Sequence, residues 1–70
     1  MEVLVFATNV TEAGQVSRVQ ALLTHLPAVT DWNFDLDDRD NILRVVARDV
    51  SPRYIERLLA GAGVSCCELE

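Results

Sequence analysis

The stretch TNVTEAGQV, residues 8–16, marks a change from one hydrophobic periodicity to another. Before it, Val3 to Ala7 is a short apolar run of strand-forming residues, typical of a central strand covered on both faces. After it, apolar residues recur at helical spacing. The stretch is therefore a strand-to-helix loop, a position where small domains often place a binding site. The binding-loop candidates are Asn9, Val10, Thr11, Glu12 and Gln15.

The first helix is predicted to begin at Thr11, whose hydroxyl suits an N-cap, and to end at Pro27. Glu12 would lie in its first turn and His25 in its last turn, where the helix dipole favours those charges. One apolar stripe should face the core. The stripe consists of Val16, Val19, Leu22, Leu23 and Leu26.

A hairpin is predicted next. From Val29 to Leu36, apolar and polar residues alternate, as in a half-buried antiparallel strand. The run DDRDN, residues 37–41, has turn composition, and a third strand is predicted from Ile42 to Arg48. The residues expected on the core face of this third strand are Leu43, Val45 and Ala47.

A second helix should begin at Ser51-Pro52, with Ser as the N-cap and Pro in the first helical position. Gly61 and Gly63 are candidates to end it, and Val64 to Leu69 is the last predicted strand. The apolar stripe of this helix consists of Ile55, Leu58, Leu59 and Ala62.

The predicted order, β-α-β-β-α-β, is the α+β pattern of the ferredoxin-like fold. Right-handed crossovers then place both helices on one face of a four-stranded antiparallel sheet. The expected strand order is 4-1-3-2, with the second and fourth strands at the edges. We expect residues 1–70 to form a single domain, because no linker-like or low-complexity segment interrupts them.

Charge and composition exclude several classes of function. The formal net charge is −5 and no residue is lysine, so neither nucleic acid nor an anionic membrane surface is an expected partner. No apolar run approaches the ~20 residues that span a bilayer. The N-terminal residues 1–4 lack the basic region of a signal peptide, so we expect a cytoplasmic protein. Adjacent cysteines rarely pair with each other, and Cys66 and Cys67 are therefore expected to be thiols.

Several short motifs resemble those of the heavy-metal-associated domain, the family of copper chaperones and metal-ATPase N-terminal modules. Leu26-Pro27-Ala28-Val29 is similar to the Leu-Pro-Gly-Val that usually ends the family's first helix. Ala62-Gly63-Val64 is similar to the family's Ala-Gly-aromatic before the last strand. Asn9-Val10-Thr11 takes the place of the Gly-Met-Thr stretch in the family's metal loop, and Val19 falls on the first large apolar position of the helix. The resemblance implies the ferredoxin-like fold over nearly the whole chain.

In the family's metal loop, Gly-Met-x-Cys-x-x-Cys, the two cysteines grip a soft metal, and the resemblance places Glu12 and Gln15 at their positions. Cu(I) prefers thiolates, and a carboxylate with an amide suits neither Cu(I) nor tight zinc binding. We therefore expect no metal and no cofactor at this loop. The alternative is soft-metal binding or transport, of Cu(I) or zinc, through Cys66 and Cys67. Successive side chains of a strand point to opposite faces, which argues against chelation of one ion by both thiols.

Catalysis is not expected. The chain has one His, no nucleophile placed near a base and no glycine-rich phosphate loop. The acidic residues around the predicted hairpin turn lack the glycine-centred twelve-residue loop of a calcium site. The leading hypothesis is a non-catalytic binding module on a heavy-metal-associated scaffold with a degenerate metal loop. A small-molecule regulatory domain is a further alternative, by fold analogy alone.

The sheet face without helices is the predicted interaction surface. We expect it to meet a protein partner of unknown identity or a second copy of the chain, since contiguous apolar patches commonly mark such sites. Alternation in the first strand does not show whether Val3 and Val5 or Leu4 and Phe6 lie on that face. The interface candidates on the third strand are Ile42, Arg44, Val46 and Arg48.

Overall fold

The computed structural model describes residues 1–69 and contains four strands and two helices in the predicted order. The strands are β1 (Glu2–Thr8), β2 (Val29–Asp35), β3 (Ile42–Ala47) and β4 (Cys66–Glu68), and the helices are α1 (Ala13–Thr24) and α2 (Pro52–Gly61). The three strand pairings are antiparallel, and the order across the sheet is β2-β3-β1-β4. The predicted ferredoxin-like fold and its 4-1-3-2 strand order are confirmed.

The core lies between the two helices and one face of the sheet. From β1 it takes Leu4, which is 5% exposed, and Phe6, which is fully buried. Their cross-strand partners on β3 are Val45 and Leu43, which are also fully buried. The helices contribute the fully buried side chains of Val19, Leu23, Ile55 and Leu59. Because Leu4 and Phe6 face the helices, the alternate β1 residues turn to the opposite face of the sheet.

The second helix begins and ends where the sequence predicts. The Ser51 hydroxyl oxygen accepts a hydrogen bond of 3.2 Å from the Arg53 N–H, and Pro52 occupies the first turn. Ala62 is the C-cap, and Gly63 follows with φ of +81°. A glycine suits this position because a Cβ is strained at left-handed φ.

The first helix begins one residue later than predicted. Glu12, not Thr11, is the N-cap residue, with extended backbone angles of −128° and 151°. The side-chain oxygen of Gln15 accepts hydrogen bonds from the backbone N–H groups of Thr11 at 2.8 Å and Glu12 at 3.2 Å. The side-chain amide of Gln15 in the first turn therefore binds backbone N–H groups at the start of the helix. The Thr11 hydroxyl was expected to fill this role.

Three strands are shorter than predicted. β2 ends at Asp35 and leaves Leu36 38% exposed, and β4 spans three residues, Cys66–Glu68. β3 ends at Ala47, because Asp49 adopts a left-handed φ of 55° that turns the chain out of the sheet. The β4 edge of the sheet is therefore short, which limits open-ended pairing with other chains at that edge.

The prediction that Leu58 lies in the core is wrong. Leu58 is only partly buried and is not among the side chains that pack against the core, whereas its neighbour Leu59 is fully buried. The stripe of α2 is centred on Ile55 and Leu59, which are one turn apart, so Leu58 lies on its flank.

Neither α1 nor α2 combines the length and apolar content that crossing a membrane requires.

Candidate functional site

The loop between β1 and α1 is held at its start by Thr8. The Thr8 N–H donates to the carbonyl oxygen of Asp40 at 3.0 Å, and the Thr8 hydroxyl donates to the carbonyl oxygen of Asn41 at 2.6 Å. The same hydroxyl oxygen accepts from the Val10 N–H at 3.1 Å. These bonds tie the end of β1 to the turn between β2 and β3.

Asn9 ties the same loop to the segment before β4. Its N–H donates to the Ser65 carbonyl oxygen at 3.1 Å, and its side-chain oxygen accepts from the Ser65 N–H at 3.0 Å. Val10, one of the binding-loop candidates, is fully buried in the core. Asn9 and Val10 therefore fix the loop in place, and the surface of the loop is formed by Thr11 and Glu12, which are exposed.

Glu12 and Gln15 line a shallow surface depression together with Thr11, Gly14 and Arg18. The amide oxygen of Gln15 is engaged by the two backbone N–H groups at the start of the helix. Arg18 adds a positively charged residue to the lining, and Glu12 adds a negatively charged one. The depression therefore presents hard, polar groups of mixed charge and no thiol or imidazole, which are the ligands that soft metals prefer.

The two cysteines lie on opposite faces of β4. Cys66 pairs with Thr8 and packs partly against the core, whereas Cys67 pairs with Ala7 and is exposed. Burial, the nearby Glu56 carboxylate and Cys67, in that order, raise the pKa of the Cys66 thiol from 9.0 to about 11. Metal coordination requires the thiolate, so the raised pKa makes loss of the proton from Cys66 more costly than at an ordinary thiol.

The other titratable groups do not complete a metal site with these thiols. Glu56 accepts a hydrogen bond of 2.8 Å from the Glu68 N–H, and His25 is the exposed C-cap residue of α1. Within residues 1–69, no three His, Cys, Asp or Glu side chains come together as a potential metal centre.

The open face of the sheet, defined as the face without helices, carries an apolar half and an acidic edge. The acidic edge is on β2 and comprises Asp31 and Asp35, with the neutral Asn33 between them. These three residues pair with Val46, Ile42 and Arg44 of β3, respectively. The apolar half is on β1 and β4, as the pairing of these strands shows. The pairing continues beyond β4 to Leu69, whose N–H donates to the Val5 carbonyl oxygen at 2.8 Å. It comprises Val3, Val5, Ala7, Cys67 and Leu69.

The four interface candidates on β3 and beyond it differ in exposure. Arg44 and Arg48 are exposed and Val46 is half-buried, but Ile42 is only 5% exposed. The Arg44 guanidinium lies 4.0 Å from the Asp35 carboxylate. This ion pair joins the positive charge in the middle of the face to the acidic edge. The residues of the apolar half, as described above, include no Asp, Glu, Lys or Arg.

Sequence reasoning missed two parts of this arrangement. The link between Asn9 and Ser65 joins residues 56 positions apart, and no local pattern signals it. Ala7, Cys67 and Leu69 were not predicted on the open face, although alternation along β4 would have placed Cys67 and Leu69 together. What was missing is the register between β1 and β4, which assigns them to a face.

The fold is shared with domains that bind copper. Aligned over 100% of this chain and 97% of its own, the yeast copper transporter domain Ccc2a has a TM-score of 0.84 and 19% identity. The apo heavy-metal-associated domain of the copper chaperone for superoxide dismutase has a TM-score of 0.79 and 24% identity, over 97% of this chain and 66% of its own. A chain in the Atx1–Cu(I)–Ccc2a complex gives 0.85 and 19%, over 100% and 97% of the two chains.

No protein-family model and no curated protein match this chain. The predicted resemblance to heavy-metal-associated domains is confirmed for the fold, which all these neighbours share with it. At identities below 25%, the likeness carries the fold alone. The function is argued from the side chains that this chain presents on that fold.

Proposed function

We propose that this chain is a non-catalytic protein-interaction module in which the position of a soft-metal loop has become a structural helix start. The observation that carries the proposal is the Gln15 amide oxygen, which binds the N–H groups of Thr11 and Glu12. A side chain that caps the helix at this position is occupied by the backbone and is not a free ligand. The remaining group of the pair, the Glu12 carboxylate, is a single hard ligand.

The interaction part of the proposal rests on the open face. Half of that face is apolar, and Val3, its most prominent residue, is 62% exposed. The loop above β1 supports the same interpretation, because Thr11 and Glu12 are exposed on a backbone held by Thr8 and Asn9. Rigid loops and apolar patches are the usual elements of a protein-binding surface.

Soft-metal binding through Cys66 and Cys67 is the rival function, and the shared fold with copper-binding domains is the observation that favours it. The arrangement of β4 opposes it. The two thiols point to opposite faces, and the raised pKa of Cys66 makes the thiolate that a metal requires more costly to form. One thiolate alone does not provide the two-sulfur coordination that Cu(I) prefers.

Anaerobic Cu(I) titration against a chromophoric chelator tests the metal part of the proposal. The wild-type protein should not compete for Cu(I). The variant Glu12→Cys plus Gln15→Cys should compete strongly, because it restores two thiolates within one helical turn. The matched control is Glu12→Ser plus Gln15→Ser, which alters the same positions and loses the same cap without adding sulfur.

Two outcomes of that titration would contradict the proposal. Wild-type protein that binds Cu(I) as tightly as the double-cysteine variant would make it a metal carrier. Loss of this binding in Cys66→Ser or Cys67→Ser would then assign the ligands to β4. A double-cysteine variant that behaves like the double-serine control would show that residues 12 and 15 do not lie at the metal positions of this fold.

A further inference from the structure

The free edge of the sheet at β4 is bound by a side chain from a helix. Beyond the last residue of β4, the Leu69 N–H donates to the carbonyl oxygen of Val5 on β1. In an antiparallel pair only alternate residues bond to the neighbouring strand, so the N–H of Glu68 points away from β1. That outward N–H donates to the Glu56 carboxylate of α2 at 2.8 Å.

The free edge at β2 carries an equivalent bond. Because Val5 bonds towards β4, the alternating pattern makes Leu4 the residue that bonds to its partner Val45 on β3. The backbone groups of Val45 then face β1, and those of Trp32, its partner on β2, face the outside of the sheet. The Trp32 N–H donates to the Asp31 carboxylate at 2.9 Å.

We propose that Asp31 and Glu56 are edge caps, carboxylates that keep other strands from adding to the two free edges of the sheet. An added strand binds an edge through the backbone groups that the edge leaves unpaired. At Trp32 and Glu68 the N–H is already bound by a carboxylate, which the incoming carbonyl oxygen would have to displace. Displacement would break a charge-assisted hydrogen bond, which is stronger than the neutral bond that replaces it.

β2 is the edge with the greater need of such a cap. It spans seven residues, and the aromatic side chains of Trp32 and Phe34 are only half-buried. Long edge strands rich in strand-forming residues are the usual sites of unwanted pairing between chains. The register shift between Val29 and Asp31 adds to the protection, because such irregularities interrupt the ladder that a new strand would extend.

Amide hydrogen exchange by NMR tests each cap at its own donor. Asp31→Ala should lower the protection factor of the Trp32 N–H at least ~5-fold and leave that of Glu68 unchanged. Glu56→Ala should lower the protection factor of the Glu68 N–H and leave that of Trp32 unchanged. The matched control is Asp37→Ala, which removes an exposed acidic residue from the turn after β2 and should change neither.

Sedimentation velocity and thioflavin T fluorescence test whether the caps prevent association, at protein concentrations up to ~1 mM. Asp31→Ala plus Glu56→Ala should form sheet-rich oligomers or fibrils under conditions in which the wild type does not. Glu2→Ala plus Asp37→Ala is the matched control, because it removes two exposed carboxylates and changes the net charge equally. It should behave like the wild type.

The amide variant Asp31→Asn plus Glu56→Gln separates the hydrogen bonds from the charges. Its side-chain oxygens can still accept from the same two N–H groups, so it should associate less than the double-alanine variant. Circular dichroism checks that each variant is folded. If the double-alanine variant does not fold, the single variants Asp31→Ala and Glu56→Ala decide the question by the same measurements.

Four results would overturn the inference. Unchanged protection of Trp32 and Glu68 in the alanine variants would show that the carboxylates do not hold these donors. A folded variant without caps that associates no more than the wild type would show that they do not guard the edges. Equal association of the charge-matched control, or association of the wild type itself, would do the same. The inference concerns the sheet edges alone and is independent of the Cu(I) titration, which uses residues 12 and 15.

Discussion

Asn9 and Ser65 bind each other through two reciprocal hydrogen bonds, one of 3.1 Å between main chains and one of 3.0 Å to the Asn9 side chain. They connect the loop before α1 to the segment before β4, at the end of the sheet where Thr8 also binds the β2–β3 turn. The loop that carries the candidate binding residues is thus stabilised by tertiary contacts and not by its own sequence alone.

Asn9→Ala should lower the free energy of unfolding by about 0.5–1.5 kcal/mol, since it removes the acceptor of the Ser65 N–H while Ser65 remains exposed to water. Asn9→Asp keeps an oxygen at that position and should lose less than half as much. Urea unfolding measures both. Equal losses in the two variants would mean that the side-chain bond does not stabilise the loop.

Adjacent leucines of α2 should respond differently to truncation. Leu59→Ala should lower the free energy of unfolding by ~2–5 kcal/mol, because Leu59 is fully buried in the core. Leu58→Ala should cost less than ~1.5 kcal/mol, because Leu58 is only partly buried and flanks the stripe. Each variant is the control for the other in the same urea experiment. A larger loss for Leu58 would contradict the orientation of this helix.

Gln15→Ala should destabilise the start of α1 by about 0.5–2 kcal/mol, because the N–H groups of Thr11 and Glu12 lose their acceptor. Gln15→Glu retains a side-chain oxygen and adds a negative charge where the helix dipole favours it, so it should match the wild type. Thermal unfolding and amide exchange of residues 11 and 12 report the difference. Unchanged amide exchange of residues 11 and 12 in Gln15→Ala would contradict the role of Gln15 as a helix cap.

The Cys66 thiol should lose its proton only at high pH. In a Cys67→Ser background, alkylation of Cys66 should be slow at pH 8 and rise only as the pH approaches the raised pKa of about 11. Glu56→Gln should move this rise to lower pH, because it removes the nearby carboxylate that disfavours the thiolate. Fast alkylation of Cys66 at pH 8 would contradict the placement of this thiol.

The raised pKa of Cys66 also makes the free energy of unfolding depend on pH. The folded-state pKa of Cys66 lies above the ordinary value of 9.0, so the unfolded chain releases its thiol proton first. The stabilisation due to this group is present below pH 9 and decreases as the pH rises from 9 to about 11. Cys66→Ala should remove that part of the alkaline loss of stability.

Local periodicity alone determined most of the architecture. The spacing of Val19 and Leu23 and of Ile55 and Leu59 identified the buried helix faces, and Ser51-Pro52 marked the start of α2. Helical stripes and caps depend on residues within one or two turns of each other, so a single sequence contains the information. The lack of cysteine in residues 8–16 is likewise a property of the amino-acid sequence itself.

Tertiary pairing decided what alternation left open. β1 is apolar on both faces, and only its register with β3 assigns Leu4 and Phe6 to the core and Val3 and Val5 to the open face. The register with β4 likewise turns Cys66 inward and Cys67 outward.

The N-cap of α1 has the same explanation. The buried Val10 and the bonds from Asn9 to Ser65 hold the preceding loop, and Gln15 then caps Glu12 in place of a Thr11 hydroxyl. Contacts between residues far apart in the chain set these positions, and their energies leave no periodic trace in the sequence.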